Sequence, residues 1–344
     1  MPETFRVGIT RDFLKADGTL AFGDIGLDLL DRAPGITREF LESHSPELQP
    51  EQIRGFDALL VLAPSVTAAT LTGADRLALV ARFGVGYDNV DIVACTRAGV
   101  LVTITPDGVR RPVATSVLAY LLALSLRMFD KDRLTRAGRW ADKLDFMGTG
   151  LTGRTLGIIG LGNIGREIVR LARPLGMRYL VFDPYLSAAD DVELVDLETL
   201  LRASDFVTIN CALSPETHHL LNQQRLALMK PTAYLINTAR GPIVDQRALT
   251  TALAAHQLAG AALDVFEMEP IEPDDPLLAL DNVILAPHAI CWTDECFQGN
   301  GESACRGIVD VAAGRVPRSI VDRAALSHPR MRARLLPAEL PVRP

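Results

Sequence analysis

The chain has 344 residues, a formal net charge of −7, and 22% charged against 48% hydrophobic residues. This composition describes a globular chain with room for two domains and excludes a disordered one. The acidic balance, with a pI near 5.5, argues against a partner bound through nucleic-acid phosphates.

In chain order, residues 5–10, 36–40, 58–62, 79–83 and 100–105 are short apolar runs separated by helical patterns. They predict a small parallel α/β domain. A helix is expected over 112–129. Its longest apolar run, 117–126, is too short and too punctuated by Thr115, Ser116, Ser125 and Arg127 to span a bilayer, so a buried helix, or one at a subunit interface, is expected rather than a membrane segment. Strands follow at 155–159, 179–182, 206–210, 233–237, 260–265 and 283–285, with helices at 166–175, 197–203, 223–229 and 245–256. Six strands in this rhythm make a doubly wound sheet. A helix near 302–313 returns the chain to the first domain. The tail, 327–344, is rich in Pro and Arg and is expected to fray, with Arg330, Arg332 and Arg334 at a solvated end. The expected boundaries are 1–104 and 292–326 for the outer domain, 105–291 for the inserted domain and 327–344 for the tail. Met1 to Arg11 is short and broken by polar residues, so no signal segment is expected. Five cysteines, an odd count without metal-ligand spacing, predict a reduced cytoplasmic protein with no metal site.

Gly160-Leu161-Gly162-Asn163-Ile164-Gly165 lies between the predicted strand 155–159 and a helical pattern, and the next apolar run ends at Asp183. Strand, glycine turn, helix, strand and acid within about 30 residues form the layout of a dinucleotide-binding unit. Gly160 allows the tight turn, Gly162 lets a pyrophosphate approach the backbone, and Gly165 lets the helix pack on the sheet. The amides around Asn163 and Ile164 and the helix dipole favour phosphate. Asp183 can accept from both ribose hydroxyls and would repel a 2′-phosphate, so NAD is expected rather than NADP. Such a cofactor narrows the chemistry to hydride transfer.

Ligands of doubly wound sheets bind beyond the carboxyl ends of the strands. After 233–237 come Thr238, Ala239 and Arg240, and a guanidinium there suits a carboxylate. After 260–265 the carboxylates Asp264, Glu267 and Glu269 lie within six residues. After 283–285, Pro287 precedes His288, a candidate general acid and base. Glu269 and His288 flank one short crossing and could meet, and a carboxylate on one imidazole nitrogen fixes the tautomer. His44, His218, His219, His256 and His328 are assigned no chemistry. His218 and His219 read as a helix start.

These motifs, together with Gly84-Val85-Gly86-Tyr87-Asp88-Asn89-Val90-Asp91, Asn237-Thr238-Ala239-Arg240-Gly241 with Val244-Asp245, and Leu263-Asp264-Val265-Phe266-Glu267 continuing to Glu269-Pro270 and Pro287-His288, cover about 5–322. The chain resembles the D-isomer-specific 2-hydroxyacid dehydrogenases. The resemblance implies two doubly wound α/β domains, a Rossmann-type NAD domain inserted into a smaller flavodoxin-like substrate domain, with the active site in the cleft and a homodimer as the usual assembly. It implies that Arg240, Glu269 and His288 are catalytic. Asp264 would hold the nicotinamide amide, Thr238 and Ala239 would join the cofactor site, and the amides of Val85 and Gly86 would hold the substrate carboxylate. The expected partners are a 2-oxoacid or 2-hydroxyacid and a second copy of the chain, with neither nucleic acid nor membrane.

Departures from the family pattern bear on the substrate. Where the family's loop reads Thr-Pro-Gly and then Val-Ala-Glu, this chain has Arg110 and Arg111 and no glutamate. The arginines could meet a second anionic group, with Arg111 the candidate, or form a surface pair at a helix start. After the histidine many members have Ile-Ala-Gly, whereas this chain has Ala289-Ile290-Cys291-Trp292; Trp292 could wall the substrate pocket or make an interdomain core contact. Glu269 argues against the formate dehydrogenases of this scaffold, which carry glutamine there. A phosphite-type dehydrogenase and an NAD-gated corepressor-like binding protein keep the same three residues and remain alternatives.

Overall fold

A computed structural model describes residues 4–72 and 74–335. The chain forms two compact units, one of the residues up to Val109 and from Trp292 onward, the other Arg110–Cys291.

The first unit holds a parallel sheet of β1 (Phe5–Ile9), β2 (Ile36–Phe40), β3 (Ala58–Val61), β4 (Leu79–Arg82) and β5 (Leu101–Thr103), in the order β2-β1-β3-β4-β5. This is the flavodoxin-like order. Successive strand residues point to opposite faces. Ala58 and Leu60 therefore pack with Val7, Ile9 and Leu79 on one face, whereas Leu59 and Val61 pack with Val80 and Val102 on the other. Helix Asp294–Ala312 covers the first face with Phe297, Ala304, Ile308 and Val311.

The second unit holds β6 (Thr155–Ile159), β7 (Arg178–Phe182), β8 (Glu193–Leu194), β9 (Phe206–Ile209), β10 (Tyr234–Asn237), β11 (Gly260–Leu263) and β12 (Val283–Leu285), ordered β12-β11-β10-β9-β6-β7-β8 and all parallel. The order reverses between β6 and β9, the switch point of a Rossmann-type sheet. Strands β6, β9 and β11 are buried along their whole length, and apart from Thr155 and Thr208 they consist of apolar residues and glycine.

Several expectations are corrected. The sheet has a seventh strand, β8, whose two residues at the sheet edge are too few to leave a periodic signal. The helix expected over 112–129 runs Pro106–Leu126, with Pro112 inside it, and Arg127 in a left-handed conformation ends it before a second helix, Met128–Arg136. At 21 residues this first helix is long and apolar enough to cross a membrane by length and composition alone, contrary to the expectation. Its buried side, Ala114, Val117, Tyr120, Leu121 and Leu124, packs instead in the core of the second unit. Helix Asp294–Ala312 begins eight residues before the expected start, with Thr293 capping it, because Gly299 and Gly301 interrupt the apolar pattern without breaking the helix. The glycine turn opens its helix at Asn163, not Arg166. His218 and His219 lie in a turn, and the next helix starts at Gln223 behind the Asn222 cap.

The tail is also corrected where it is described. Helix Pro329–Arg334 docks on the first unit through Met331, which is 1% exposed. Arg330 donates to the carbonyls of Ala98 (2.8 Å), Ala74 and Leu77. Arg334 bonds Asp57 at 2.7 Å, and Asp57 also takes Arg76 at 2.8 Å and the Arg6 amide at 2.9 Å. The remainder of the expected frayed segment, 336–344, lies outside the described residues.

Burial pushes the Asp57 carboxyl up, but the Arg6 amide and the two guanidiniums outweigh it and hold it below the usual carboxylate range. Its stabilising contribution is therefore complete above pH ~4 and is lost as pH falls through the lower folded value. Asp57→Ala should cost about 2–3 kcal/mol in chemical denaturation at pH 7, below the range for a fully buried pair because both guanidiniums are partly solvated. The difference from wild type should shrink toward pH 3.

Candidate active site

The carboxyl ends of the second sheet carry the candidate site. Gly160 leaves β6 at φ 91°, a conformation that favours glycine. A Cβ on Gly162 would meet nothing within 4 Å, so the start of helix Asn163–Ala172 is open to a ligand. Asp183, just past β7, accepts from the amides of Leu161 (2.9 Å) and Tyr185 (3.0 Å), one on each oxygen. Each carboxylate oxygen retains a further lone pair for a ribose hydroxyl. Across the switch point, Asn210 Oδ1 is buried without a protein partner among the described residues. Open ground at a helix start, an anchored acid and an orphaned acceptor fit a dinucleotide.

Arg240 follows β10 in a turn organised by Asn237. The Asn237 side chain accepts from the Ala239 amide (3.0 Å) and donates to the Arg240 carbonyl (2.9 Å). The Arg240 guanidinium donates to the Ala239 carbonyl at 2.7 Å. The sequence placed Asn237 at the head of the motif without a role; the structure makes it the side chain that holds the turn.

Glu269 and His288, after β11 and β12, are brought together: Oε2 lies 2.7 Å from Nδ1. The other Glu269 oxygen accepts from the Phe266 amide at 2.9 Å. Burial pushes the Glu269 carboxyl up, but His288, the Phe266 amide and the Arg240 charge more than offset it and hold it low. Glu269 is therefore ionised at neutral pH and accepts a hydrogen bond from Nδ1–H. The His288 ring is half-exposed, and its Nε2 takes no protein partner among the described residues.

Asp264 is 3% exposed, and its Oδ1 accepts from the amides of Ala289 (2.9 Å) and Ile290 (3.0 Å). Burial raises its pKa despite these amides. The carboxylate thus ties the end of β11 to the residues directly after His288. A second histidine–carboxylate pair, His219 with Glu267, escaped the sequence reading. The His219 amide donates to the Pro242 carbonyl at 2.8 Å, so the pair joins the Arg240 turn to the β11 loop.

Arg111 Nη1 lies 3.9 Å from Glu167 on the helix that follows the glycine turn, and both Arg110 and Arg111 help hold the Glu167 carboxyl low, after its main partner Arg170. In the first unit, Trp292 packs edge-on against Phe22 (5.3 Å) and Phe297 (5.4 Å) and remains half-exposed. Val85 and Gly86 follow β4, and among the described residues neither amide donates to a protein acceptor.

The D-isomer specific 2-hydroxyacid dehydrogenase NAD binding domain model matches residues 118–289. The chain is 40% identical to a glyoxylate reductase of Korarchaeum cryptofilum over 79% of its own length and 85% of that protein's. It is 36% identical to a D-3-phosphoglycerate dehydrogenase of Synechocystis sp., over 88% of its length and 55% of that protein's. A Thermus thermophilus protein of known structure superposes with a TM-score of 0.81 at 33% identity, covering 92% of this chain and all of that one. On this similarity and fold, the chain belongs to the D-isomer-specific 2-hydroxyacid dehydrogenase family and is an NAD-dependent oxidoreductase.

Proposed function

We propose that the enzyme interconverts a 2-oxoacid and its D-2-hydroxyacid, with His288 as general acid and base, Glu269 holding it and Arg240 binding substrate. The bound cofactor supplies or accepts a hydride at C2. Arg240 and the amides of Val85 and Gly86 take the substrate carboxylate. As hydride arrives, negative charge grows on the carbonyl oxygen; Arg240 stabilises it and His288 Nε2 delivers the proton. In the oxidising direction His288 removes that proton. Glu269 keeps the imidazole oriented, with Nδ1 committed to its carboxylate. The observation that carries this reading is the 2.7 Å Glu269–His288 contact, which commits Nδ1 and leaves Nε2 available.

Asp183, Thr238, Ala239 and Asp264 serve the cofactor in this reading, with the backbone from Gly160 to Gly165. Arg111 and Trp292 are assigned to substrate selection. Glyoxylate is the first substrate to test, because relatives are named for its reduction. Five free thiols suit a reducing cytoplasm.

The exposed apolar side chains of Leu126, Met128, Phe129, Trp140, Leu144 and Met147 crowd one stretch of the second unit, which favours a homodimer formed through it.

NADH absorbance with a panel of 2-oxoacids tests the activity. No turnover of any of them would favour the phosphite-type or corepressor-like alternative. His288→Asn should lower kcat by about 10³-fold. Glu269→Gln should lower kcat by about 10²-fold with NADH Kd unchanged, because an amide can donate as well as accept and no longer fixes Nδ1 as the donor; an unchanged kcat removes Glu269 from this role. Asp183→Ser should shift the NADH over NADPH preference toward NADPH by about tenfold in kcat/KM. Leu144→Glu should convert a dimer to a monomer in sedimentation, and a wild-type monomer would refute the assembly.

A further inference from the structure

We propose that Thr105 and Asn300 are positioning residues for the substrate carboxylate: they set the loop whose Val85 and Gly86 amides receive it, and so govern KM for the 2-oxoacid. The inference rests on the reading of those amides given above.

Gly84 stands at φ 130°, in the region reserved for glycine, directly before the two amides. Consecutive unsatisfied N–H groups next to such a residue make an anion-binding concavity. Its geometry is held from one side. The Gly84 amide donates to Thr105 Oγ1 at 2.8 Å, and the Thr105 amide donates to the Gly84 carbonyl at 2.9 Å. The Thr105 hydroxyl in turn donates to Asn300 Oδ1 at 2.7 Å. Asn300 Oδ1 can only accept, so the hydroxyl proton is committed to it and a lone pair is left facing Gly84. Asn300 Nδ2 points to Cys296 Sγ at 3.6 Å, in keeping with that orientation.

Thr105 is 1% exposed and Asn300 4%, so water does not compete for these bonds. One turn earlier on the same helix, Phe297 packs on Phe83 with ring centroids 5.6 Å apart. The helix therefore grips the residues before the carboxylate loop by a ring contact and the loop itself by a hydroxyl relay. A purely structural role would lower stability and affect every ligand alike. A positioning role weakens the carboxylate and spares NADH, whose proposed contacts lie in the other unit.

The test compares wild type, Thr105→Val, Thr105→Ser and Asn300→Ala. It reads glyoxylate KM and kcat, NADH Kd by fluorescence, and oxalate Kd by calorimetry on the NADH complex. Thr105→Val should raise glyoxylate KM and oxalate Kd about tenfold, with NADH Kd within about twofold. Thr105→Ser should restore both to within about threefold, and Asn300→Ala should shift them the same way by about threefold. Unchanged KM and oxalate Kd in Thr105→Val overturn the proposal, as does an NADH Kd that rises in step with them. If Thr105→Val does not fold by circular dichroism, the same criteria apply to Asn300→Ala. If wild type reduces no 2-oxoacid, the proposed function fails on its own; oxalate then still decides, and equal binding by wild type and variant, or none by wild type, overturns the clamp.

Discussion

In a parallel sheet every strand ends on the same edge, and the whole site follows from that constraint. β6, β7, β9, β10, β11 and β12 all run the same way. The residues that follow them, Gly160, Asp183, Asn210, Arg240, Glu269 and His288, therefore open on one edge although the first and last are 128 positions apart in the chain. The strand interiors cannot carry the chemistry. Ile158, Ile209, Leu235 and Ala262 are fully or nearly fully buried, and a polar group there would lose water without gaining a partner. Polar function begins where each apolar run stops.

On that edge, two carboxyl groups five residues apart are shifted in opposite directions. Asp264 is enclosed, and burial outweighs the two amides it holds. Glu269 is less enclosed, and the His288 ring, an amide and the Arg240 charge outweigh burial. The difference is one of surroundings, since both are simple carboxyl groups. It also divides their work. Asp264 shapes the segment after His288, and Glu269 addresses the ring itself. The first unit repeats this economy with neutral groups: at Gly84 a threonine hydroxyl and an asparagine amide hold the backbone, leaving the next two amides unspent.

Much of this was legible in the residue order because the relevant signals are local. The glycine turn with Asp183, the alternation of apolar runs with helices, and the polar residues at strand ends depend on spacing within about 30 residues. Edges and interruptions were not legible. Two-residue β8 has no period to detect. Pro112 reads as a helix start but lies inside a helix held by its buried face, and the glycines of Asp294–Ala312 concealed its first turns. The tail reads as solvated because Arg330 and Arg334 are charged; their partners, the Ala98 carbonyl and Asp57, lie more than 200 residues away.

By itself the sequence determined the doubly wound architecture, the cofactor unit and the residue types offered at each strand end, since propensity, periodicity and turn chemistry act between near neighbours. Only the tertiary structure decided which of those groups touch: Glu269 with His288, Asp264 with the amides after it, His219 with Glu267, and Thr105 between Gly84 and Asn300. A hydrogen bond is fixed to a few tenths of an ångström, and that precision comes from how distant elements pack, which no local pattern encodes.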